Sequence, residues 1–368
     1  MITHLSIQNF KSLKNITLSL EKLNVFTGLN GSGKSSLFQA LLLLRQSFNV
    51  ESTSKKGLII KDGELLNLGK GKDVFYQYAS KDETIDIEIE DNKNTLFWSF
   101  KYDIDAAVLS ILQSNDKDSN NCNLFNNKFQ YLNTEHISPK TTHKKNDNQI
   151  EKNDIGTKGE YAVHYLAKYG LDKKITNKNL MHPKAISDSL IHQVDAWLAD
   201  VSPGAKLVVE EIKGIDLVKL AVKFEDHSGY SDEFQPVNVG FGITYVLPVI
   251  LSILKADFDD ILILENPESH LHPRGQSQIG KLIAYATEAG IQIFLETHSD
   301  HIINGIRVAV KEGKLDKKNA KLFYFERYIN EKEMQTISYE ILIDKNGELS
   351  NYPKGFLDEW DEQLSKLI

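Results

Sequence analysis

Alternating apolar and polar positions predict strands in the first hundred residues of this 368-residue chain. Apolar residues occupy every second position around residues 5–7 and 16–20, and again over 84–90, where the letters read TIDIEIE. A period of two is typical of a strand with one buried face. The segment 95–102 is expected to pair with 84–90 as a hairpin. The N-terminal part of the chain is therefore predicted to be a β lobe.

The last third of the chain alternates helical and strand patterns. An apolar helix is predicted over 243–254, and a second helix begins at Pro273, because proline is favoured in the first turn of a helix. This second helix is expected to end at Gly290. Such alternation predicts an α/β core. Its expected strands are 261–264, 291–295, 321–328 and 336–344.

The middle of the chain is polar. Asn, Asp, Lys and Ser dominate residues 114–154, and such a segment buries too little apolar surface to offset the entropy of ordering it. We expect an exposed insertion that is mobile or contacts a partner, interrupted by one ordered strand and turn at 131–139. A short helix is predicted next over 187–198, followed by strands at 206–211 and 217–224.

These patterns divide the chain into three parts of one discontinuous domain. Residues 1–110 form the β lobe and include a glycine-rich loop, 111–235 form the insertion and a lid-like region, and 236–368 form the α/β part with a C-terminal sheet. The predicted fold class is α/β, with a mixed β lobe, an α/β core and an inserted helical and loop-rich segment.

The glycine-rich loop is the strongest chemical signal. Residues 28–35 read GLNGSGKS, a full match to the phosphate-binding pattern G-x-x-x-x-G-K-[ST], between an apolar strand and a helical pattern. Lys34 is expected to meet phosphate and Ser35 to hold Mg²⁺. The flanking elements disfavour the alternative of a glycine turn with a surface lysine. The residues expected to bind a nucleotide here are Gly28, Asn30, Gly31, Ser32, Gly33, Lys34, Ser35 and Ser36.

Three later features fit the same chemistry. An apolar strand ends in Glu265, a candidate carboxylate for magnesium, and the next strand leads to His298, which could reach a terminal phosphate. Gly240 and Gly242 open a helix, which makes a second anion-binding helix start. Each feature also has a purely structural explanation. Glu265 could be an ordinary acid at a strand end, and His298 a loop histidine with local hydrogen bonds. The two glycines could form a turn that allows close packing.

Composition narrows the class of protein. Apolar residues make up 41% of the chain and charged residues 26%, as in ordinary globular proteins. The N-terminus lacks a secretion pattern, and no apolar run reaches about eighteen residues. The single cysteine, Cys122, excludes an internal disulfide and a cysteine-based zinc site. We expect a cytoplasmic protein that neither is secreted nor spans a membrane.

Charge and histidine content suggest two weaker candidate sites, one for nucleic acid and one for a metal ion. The net charge of −8 means that nucleic acid would need a local basic patch, and the lysine-rich residues 311–327 could provide one. A solvated surface explains such a stretch more often. His270, His272, His298 and His301 cluster in sequence, but their spacing is not that of a known helical ligand pair.

Taken together and in order, GLNGSGKS, GFGITYVLP, ILILENPESHLHP and FLETHSDHI resemble ABC-type ATPase heads of the RecF, SMC and OLD-like branch. The similarity is greatest to bacterial AAA-family ATPases with ENPE-HLHP, THSDH and a final P-x-GF segment, here at 353–356. This resemblance implies an ABC/SMC-head-like P-loop ATPase fold, with ATP and Mg²⁺ as cofactors. It covers most of the chain outside the polar insertion.

The resemblance also implies roles by position. Lys34 and Ser35 would be the Walker A lysine and magnesium ligand, Glu265 the Walker B acid that shares the Mg²⁺, and His298 the switch histidine. Residues 269–272 fall where such ATPases have the D-loop. Gly240 and Gly242 would form the signature loop, which acts on the nucleotide of a second copy across a dimer.

Two departures from the family pattern affect these roles. Asn266 stands where the water-activating glutamate is expected, and the nearest replacement is Glu268. An amide can orient water but cannot accept its proton. Hydrolysis is therefore expected to be slow, to use Glu268, or to depend on a partner. The signature loop lacks its usual serine, so its phosphate contact would come from backbone N–H groups, Asn238 or Thr244.

Three functions remain open on the sequence. The first is a dimeric ATP-driven switch that controls a co-encoded effector, a nuclease or a toxin, in prokaryotic defence. The second is an ATPase of RecF type that binds DNA ends or structures in repair. The third is a scaffold that binds ATP with little hydrolysis, for which Asn266 is the argument. The expected partners are a second copy and the effector, with nucleic acid as a further candidate.

Overall fold

The computed structural model describes residues 1–49, 57–227 and 229–367. Among these, the strands in chain order are β1 Ile2–Phe10, β2 Leu13–Ser19, β3 Leu23–Gly28, β4 Gly57–Ile59, β5 Thr84–Asp91, β6 Thr95–Lys101, β7 Val108–Asn115, β8 Phe129–Leu132, β9 Thr142–Lys144, β10 Ala205–Glu211, β11 Leu217–Asp226, β12 Gly229–Tyr230, β13 Ile261–Glu265, β14 Gln292–Glu296, β15 Ala320–Ile329 and β16 Met334–Leu342. The helices are α1 Lys34–Phe48, α2 Gly71–Val74, α3 Asp147–Glu151, α4 Ala162–Tyr169, α5 Leu190–Val201, α6 Phe241–Lys255, α7 Pro273–Glu288, α8 Asp300–Lys311 and α9 Glu359–Leu367.

The chain divides into two compact units. The first is built from Met1–Lys128, Ala320–Leu342 and Leu349–Ile368, so far as these stretches are described, and the second from Phe129–Asn319 and Ile343–Glu348. The predicted segment limits at 110 and 235 do not coincide with these divisions. Within the described ranges, no helix has both the length and the apolar character that crossing a bilayer requires.

An antiparallel sheet in the order β2-β1-β5-β6-β7-β4 forms the β lobe of the first unit. The predicted hairpin of β5 and β6 is confirmed, with Ile87 opposite Trp98. Ile7 lies beside both Ile16 and Ile87, and the side chains of Ile7 and Ile87 are fully buried. The period of two in the sequence therefore marks the face of this sheet that packs on the core.

A second set of strands in the first unit positions the glycine-rich loop. β15 lies parallel to β3 on one side and antiparallel to β16 on the other. Every residue of β3 is buried, and the ring of Phe26 packs against Phe38 of α1 and Phe323 of β15. The loop therefore leaves the carboxyl end of a buried strand and enters α1, the placement expected for a phosphate-binding loop.

The second unit contains three parallel strands with β13 between β14 and β8. Helices α7 and α8 pack closely, since a Cβ at Gly280 would overlap the carbonyl of Ile302 and one at Gly305 that of Ser277. Antiparallel β10 and β11 form a small separate sheet, to which β9 and β12 add at β11. Mixed strands and helices in both units confirm the α/β class.

The segment 114–154, predicted to be an exposed insertion with one ordered strand and turn at 131–139, contains more secondary structure than expected. This stretch contains β8, β9 and α3, and its few apolar residues, among them Leu124, Phe125 and Ile150, are buried. β8 pairs with the apolar strand β13, a neighbour that lies about 130 residues away in sequence. Local composition could not reveal this partner, which supplies the apolar surface that the segment itself lacks.

The other predicted elements are recovered with shifted ends. The helix expected at 187–198 is α5, Leu190–Val201, and the C-terminal strands are β15 and β16. Helices α4 and α8 were not predicted from the sequence pattern.

Candidate nucleotide-binding site

The glycine-rich loop has the backbone that a phosphate cradle requires. Gly28, Gly31 and Gly33 have φ angles of 139°, 74° and 103°, where side chains are rarely tolerated. A Cβ at Gly28 would overlap the carbonyl of Phe325, and one at Gly33 would overlap Thr336 Oγ1. All three glycines are therefore required by the shape of the loop. Asn30 is exposed in the loop, and Ser36 is buried on α1.

Lys34 and Ser35 lie at the start of α1. Lys34 is only 3% exposed, and its Nζ donates to the carbonyl oxygens of Gly28 at 2.9 Å and Leu29 at 3.0 Å. The ammonium group is thereby held against the inner backbone of the loop. Ser35 is exposed in the first helical turn, so its hydroxyl is accessible to a bound ion. Both side chains suit the roles predicted for them.

The β15–β16 hairpin contacts the loop from outside. Thr336 Oγ1 lies 2.8 Å from the carbonyl oxygen of Ser32 and 2.8 Å from Ser12 Oγ. Arg327 Nη2 donates to the carbonyl oxygen of Gly31 at 2.7 Å. The sequence analysis missed both contacts, since the donors are separated from the loop by about 300 residues.

In the second unit, Glu265 ends β13 as predicted and is held by two hydroxyl groups. Tyr131 donates to its Oε1 at 3.1 Å, and Thr134 donates to its Oε2 at 3.2 Å. Burial raises the pKa of Glu265, while the two hydrogen bonds oppose this shift. Tyr131 lies on β8, beside Ile263 of β13. The ordered patch at 131–139 was recognised in the sequence, but not its contact with Glu265.

Asn266 and Glu268 follow in a tight turn. Asn266 has φ 45° and donates from its backbone to the carbonyl oxygen of Glu296, the residue that ends β14. Glu268 Oε1 accepts from the backbone N–H of His298 at 2.8 Å. Its Oε2 is buried without a hydrogen-bond partner among the described residues, and burial raises the pKa of its carboxyl group. Glu268 thus joins the loops that follow β13 and β14.

His298 occupies the position predicted for a switch residue. It is exposed at the end of the loop after β14, immediately before α8. Ser299 caps α8 by accepting from Ile302 N at 3.1 Å and donates to Gln276 Oε1 at 2.6 Å. The cap and the bond to Glu268 fix the backbone on both sides of His298, while its side chain remains accessible.

The predicted signature loop lies at the start of α6. Gly240 is the exposed N-cap residue, with no atom near its Cβ position. At Gly242 a Cβ would lie 2.9 Å from the carbonyl oxygen of His270. Thr244 is fully buried, which makes it unsuited to contact a phosphate at the surface, whereas Asn238 is exposed. Of the two predicted side-chain candidates, the structure favours Asn238.

Two further candidates from the sequence are the histidine cluster and the lysine-rich stretch. His272 accepts from Arg274 N as the N-cap of α7. In the part of the chain that the structure describes, no three His, Cys, Asp or Glu side chains are grouped so as to hold a metal ion. In the basic stretch, Lys311, Lys314, Lys317 and Lys318 are exposed, whereas Lys321 contacts Ser19 and Glu340.

Comparison with known families agrees with this geometry. The family model "AAA domain, putative AbiEii toxin, Type IV TA system" matches residues 23–304, which include the phosphate loop, Glu265 and His298. The chain belongs to this AAA family. A second model, a protein family of unknown function (DUF3696), matches residues 315–367.

Two individual proteins to which this AAA-family chain is similar are a RecF protein and an Smc head. Over 68 residues it is 35% identical to the DNA replication and repair protein RecF of Lactobacillus acidophilus. That match spans 18% of this chain and 18% of RecF, so less than a fifth of the relative is covered. A solved structure of an Smc head bound to the C-winged helix domain of ScpA is 13% identical. It covers 92% of this chain and 97% of its own, with a TM-score of 0.55, and shows the shared fold.

Proposed function

We propose that this AAA-family protein is a molecular switch that binds and hydrolyses ATP. The observation that carries the proposal is the phosphate loop, in which three glycines have positive φ and the nearly buried Lys34 points into the loop. Backbone N–H groups, the start of α1 and the lysine would together meet a triphosphate. Ser35 and Glu265 would hold the Mg²⁺ that accompanies it.

Hydrolysis would proceed without the usual glutamate after the Walker B acid. Asn266 would orient the water, which an amide can do, and His298 would contact the terminal phosphate. Glu268 is 9% exposed, and one of its oxygens already accepts from His298 N. We therefore assign Glu268 first to positioning the switch loop rather than to accepting the proton from water. Slow turnover is the expected consequence.

The switch would act through pairing of two copies. Each chain has one phosphate loop but two helix starts suited to anions, at α1 and α6. Val237 and Phe241 flank Gly240 and are 55% and 59% exposed, so apolar surface surrounds the α6 helix start. A two-fold dimer in which the α6 start of each copy meets the nucleotide of the other copy would cover this surface.

Closure of the pair would control a co-encoded effector in the cytoplasm. The family description refers to a toxin of a type IV system, which supports a defence setting. The alternative is a DNA-binding ATPase of repair, and the similarity to RecF supports it. A scaffold that binds ATP with little turnover is the third candidate, because Asn266 replaces the glutamate.

ATP turnover under three conditions separates these functions. We would measure phosphate release by the protein alone, with linear duplex DNA, and with the product of the neighbouring gene, using Lys34→Ala as the control. Turnover that rises only with the neighbouring protein supports the effector switch, and turnover that rises with DNA supports the RecF-type function. Tight ATP binding without turnover in every condition supports the scaffold. Absence of ATP binding would overturn all three.

A further inference from the structure

We propose that the β15–β16 hairpin is a clamp that sets the phosphate loop in its binding shape, with Thr336 and Arg327 as positioning residues. The hairpin lies within residues 315–367, the part that matches a family of unknown function. The inference deepens the proposed ATP site and rests on it for the effect on nucleotide affinity. The shape of the loop can be tested without nucleotide.

A phosphate loop needs external partners for its carbonyl groups. When the N–H groups of consecutive residues point towards an anion, the carbonyl oxygens between them point away and must be satisfied elsewhere. Two of these oxygens, on Gly31 and Ser32, accept hydrogen bonds from the hairpin. The hairpin therefore stabilises the arrangement that directs the N–H groups inward.

Thr336 provides the buried half of the clamp. It is 3% exposed, and a hydroxyl group has a single proton. Because a carbonyl oxygen can only accept, Thr336 donates to Ser32, and the bond between Thr336 and Ser12 uses the proton of Ser12. The Cβ position of Gly33 lies directly against this hydroxyl. Thr336 therefore fixes the loop immediately before Lys34.

Arg327 provides the exposed half. Its guanidinium donates to Gly31 O at 2.7 Å, and Nη2 lies 3.2 Å from the Cβ position of Gly31. A guanidinium group has five N–H donors and is always charged. It therefore holds the loop and also adds positive charge beside the place where phosphates would lie.

The hairpin is itself anchored, as a clamp must be. Both Glu333 oxygens accept from Lys14 Nζ at 2.7 Å, and Tyr76 OH donates to Glu333 at 3.3 Å. The backbone N–H of Thr336 donates to Ser12 O at 2.8 Å. The clamp is thereby tied to Ser12 in the turn between β1 and β2, to Lys14 of β2 and to Tyr76. It cannot move without breaking these bonds.

The first test replaces the Thr336 hydroxyl. Thr336→Val keeps the shape of the side chain but leaves Ser32 O without its donor, while Thr336→Ser retains the hydroxyl. We expect amide hydrogen exchange in residues 28–36 of the nucleotide-free protein to be about three- to tenfold faster in Thr336→Val and unchanged in Thr336→Ser. The dissociation constant for ATP with Mg²⁺, measured by calorimetry, should rise by a similar factor in Thr336→Val alone.

The second test separates position from charge. Arg327→Ala and Lys332→Ala each remove one cation from the same hairpin, but Lys332 is exposed in its turn, where its backbone N–H donates to Asn330 Oδ1. Weaker ATP binding in Arg327→Ala but not in Lys332→Ala supports the clamp. Equal weakening in both variants would mean that Arg327 acts only through its charge, which would overturn its part in the clamp.

Two results would overturn the inference as a whole. Unchanged exchange in Thr336→Val means that the hydroxyl does not hold the loop. Faster exchange with an unchanged ATP affinity means that the held shape is not needed for binding. If the wild-type protein binds no ATP, the proposed function fails, while the exchange experiment still decides whether the hairpin sets the shape of the loop.

Discussion

At the scale of single residues, Lys34 is central to the proposed ATP site. Its ammonium group is held by two loop carbonyls, and in the proposed site it would meet phosphate. We expect Lys34→Ala to weaken ATP binding by at least about 100-fold, because charge-assisted hydrogen bonds to phosphate are lost. Calorimetry measures the affinity, and circular dichroism with thermal unfolding checks the fold. A folded variant with wild-type affinity would contradict the site assignment.

Glu268 can be assigned with a pair of substitutions. The amide oxygen of Glu268→Gln can still accept from His298 N, but it cannot accept a proton from water, whereas Glu268→Ala removes both capacities. A positioning role predicts ATP turnover within about threefold of wild type for Glu268→Gln and about tenfold lower for Glu268→Ala. A loss of about 100-fold or more in Glu268→Gln would instead identify Glu268 as the general base.

At the scale of elements, Asp195 links helix α5 to strand β10. Its Oδ1 accepts from Leu207 N at 2.9 Å, and burial raises the pKa of its carboxyl group to about 6. An acid with a raised folded-state pKa favours folding when it is protonated. Its contribution to stability is therefore present at low pH and is lost as the pH rises from about 4 to about 6.

The neutral variant Asp195→Asn should avoid this loss, since its amide oxygen can still accept from Leu207. We expect its melting temperature to exceed that of wild type at pH 7.5 and to equal it near pH 4. Asp200 is the control, because its hydrogen bond to His182 lowers its pKa. Its charged form therefore stabilises the fold at high pH, the opposite of Asp195. Asp200→Asn should lower the melting temperature at pH 7.5. The same direction of change in both variants would contradict the argument.

Pairing between elements also explains why the secondary structure of the polar segment was not recognised in the sequence. Residues 129–155 are polar in composition, yet β8 is completed by β13, and Lys255 of α6 donates to Asn153 O. The order of this segment comes from partners that are remote in sequence. The same segment supplies Tyr131 and Thr134, which hold Glu265.

At the scale of the whole molecule, the main question is ATP-dependent pairing. Gly240 is a cleaner probe than Gly242, because a side chain at 242 would press on His270 of its own chain, whereas the Cβ position at 240 is open. The backbone of Gly240, φ −56° and ψ 138°, also accepts other residues. We expect Gly240→Val to bind ATP normally but to lose the dimer that wild type forms with ATP and Mg²⁺. Light scattering with and without nucleotide measures both proteins, and identical masses throughout would contradict pairing through α6.

Four features can be recognised from the sequence alone: the glycine-rich loop, the acid at the end of β13, the histidine after β14 and the β5–β6 hairpin. Each of these depends on consecutive residues: the glycines allow the turn, the apolar run makes the buried strand, and the next residue is placed at its end. Such signals are local, so no knowledge of remote neighbours is needed to recognise them.

The contacts that hold these groups in place are visible only in the folded chain. The donors to the loop carbonyls lie 296 and 304 residues away, the hydroxyl group of Tyr131 lies 134 residues from Glu265, and Glu268 contacts His298 across 30 residues. Strand pairing sets these contacts, and the register of β8 on β13 or of β15 on β3 is not encoded in any short pattern. The chemistry of the site is therefore local, whereas its positioning depends on how distant strands pair.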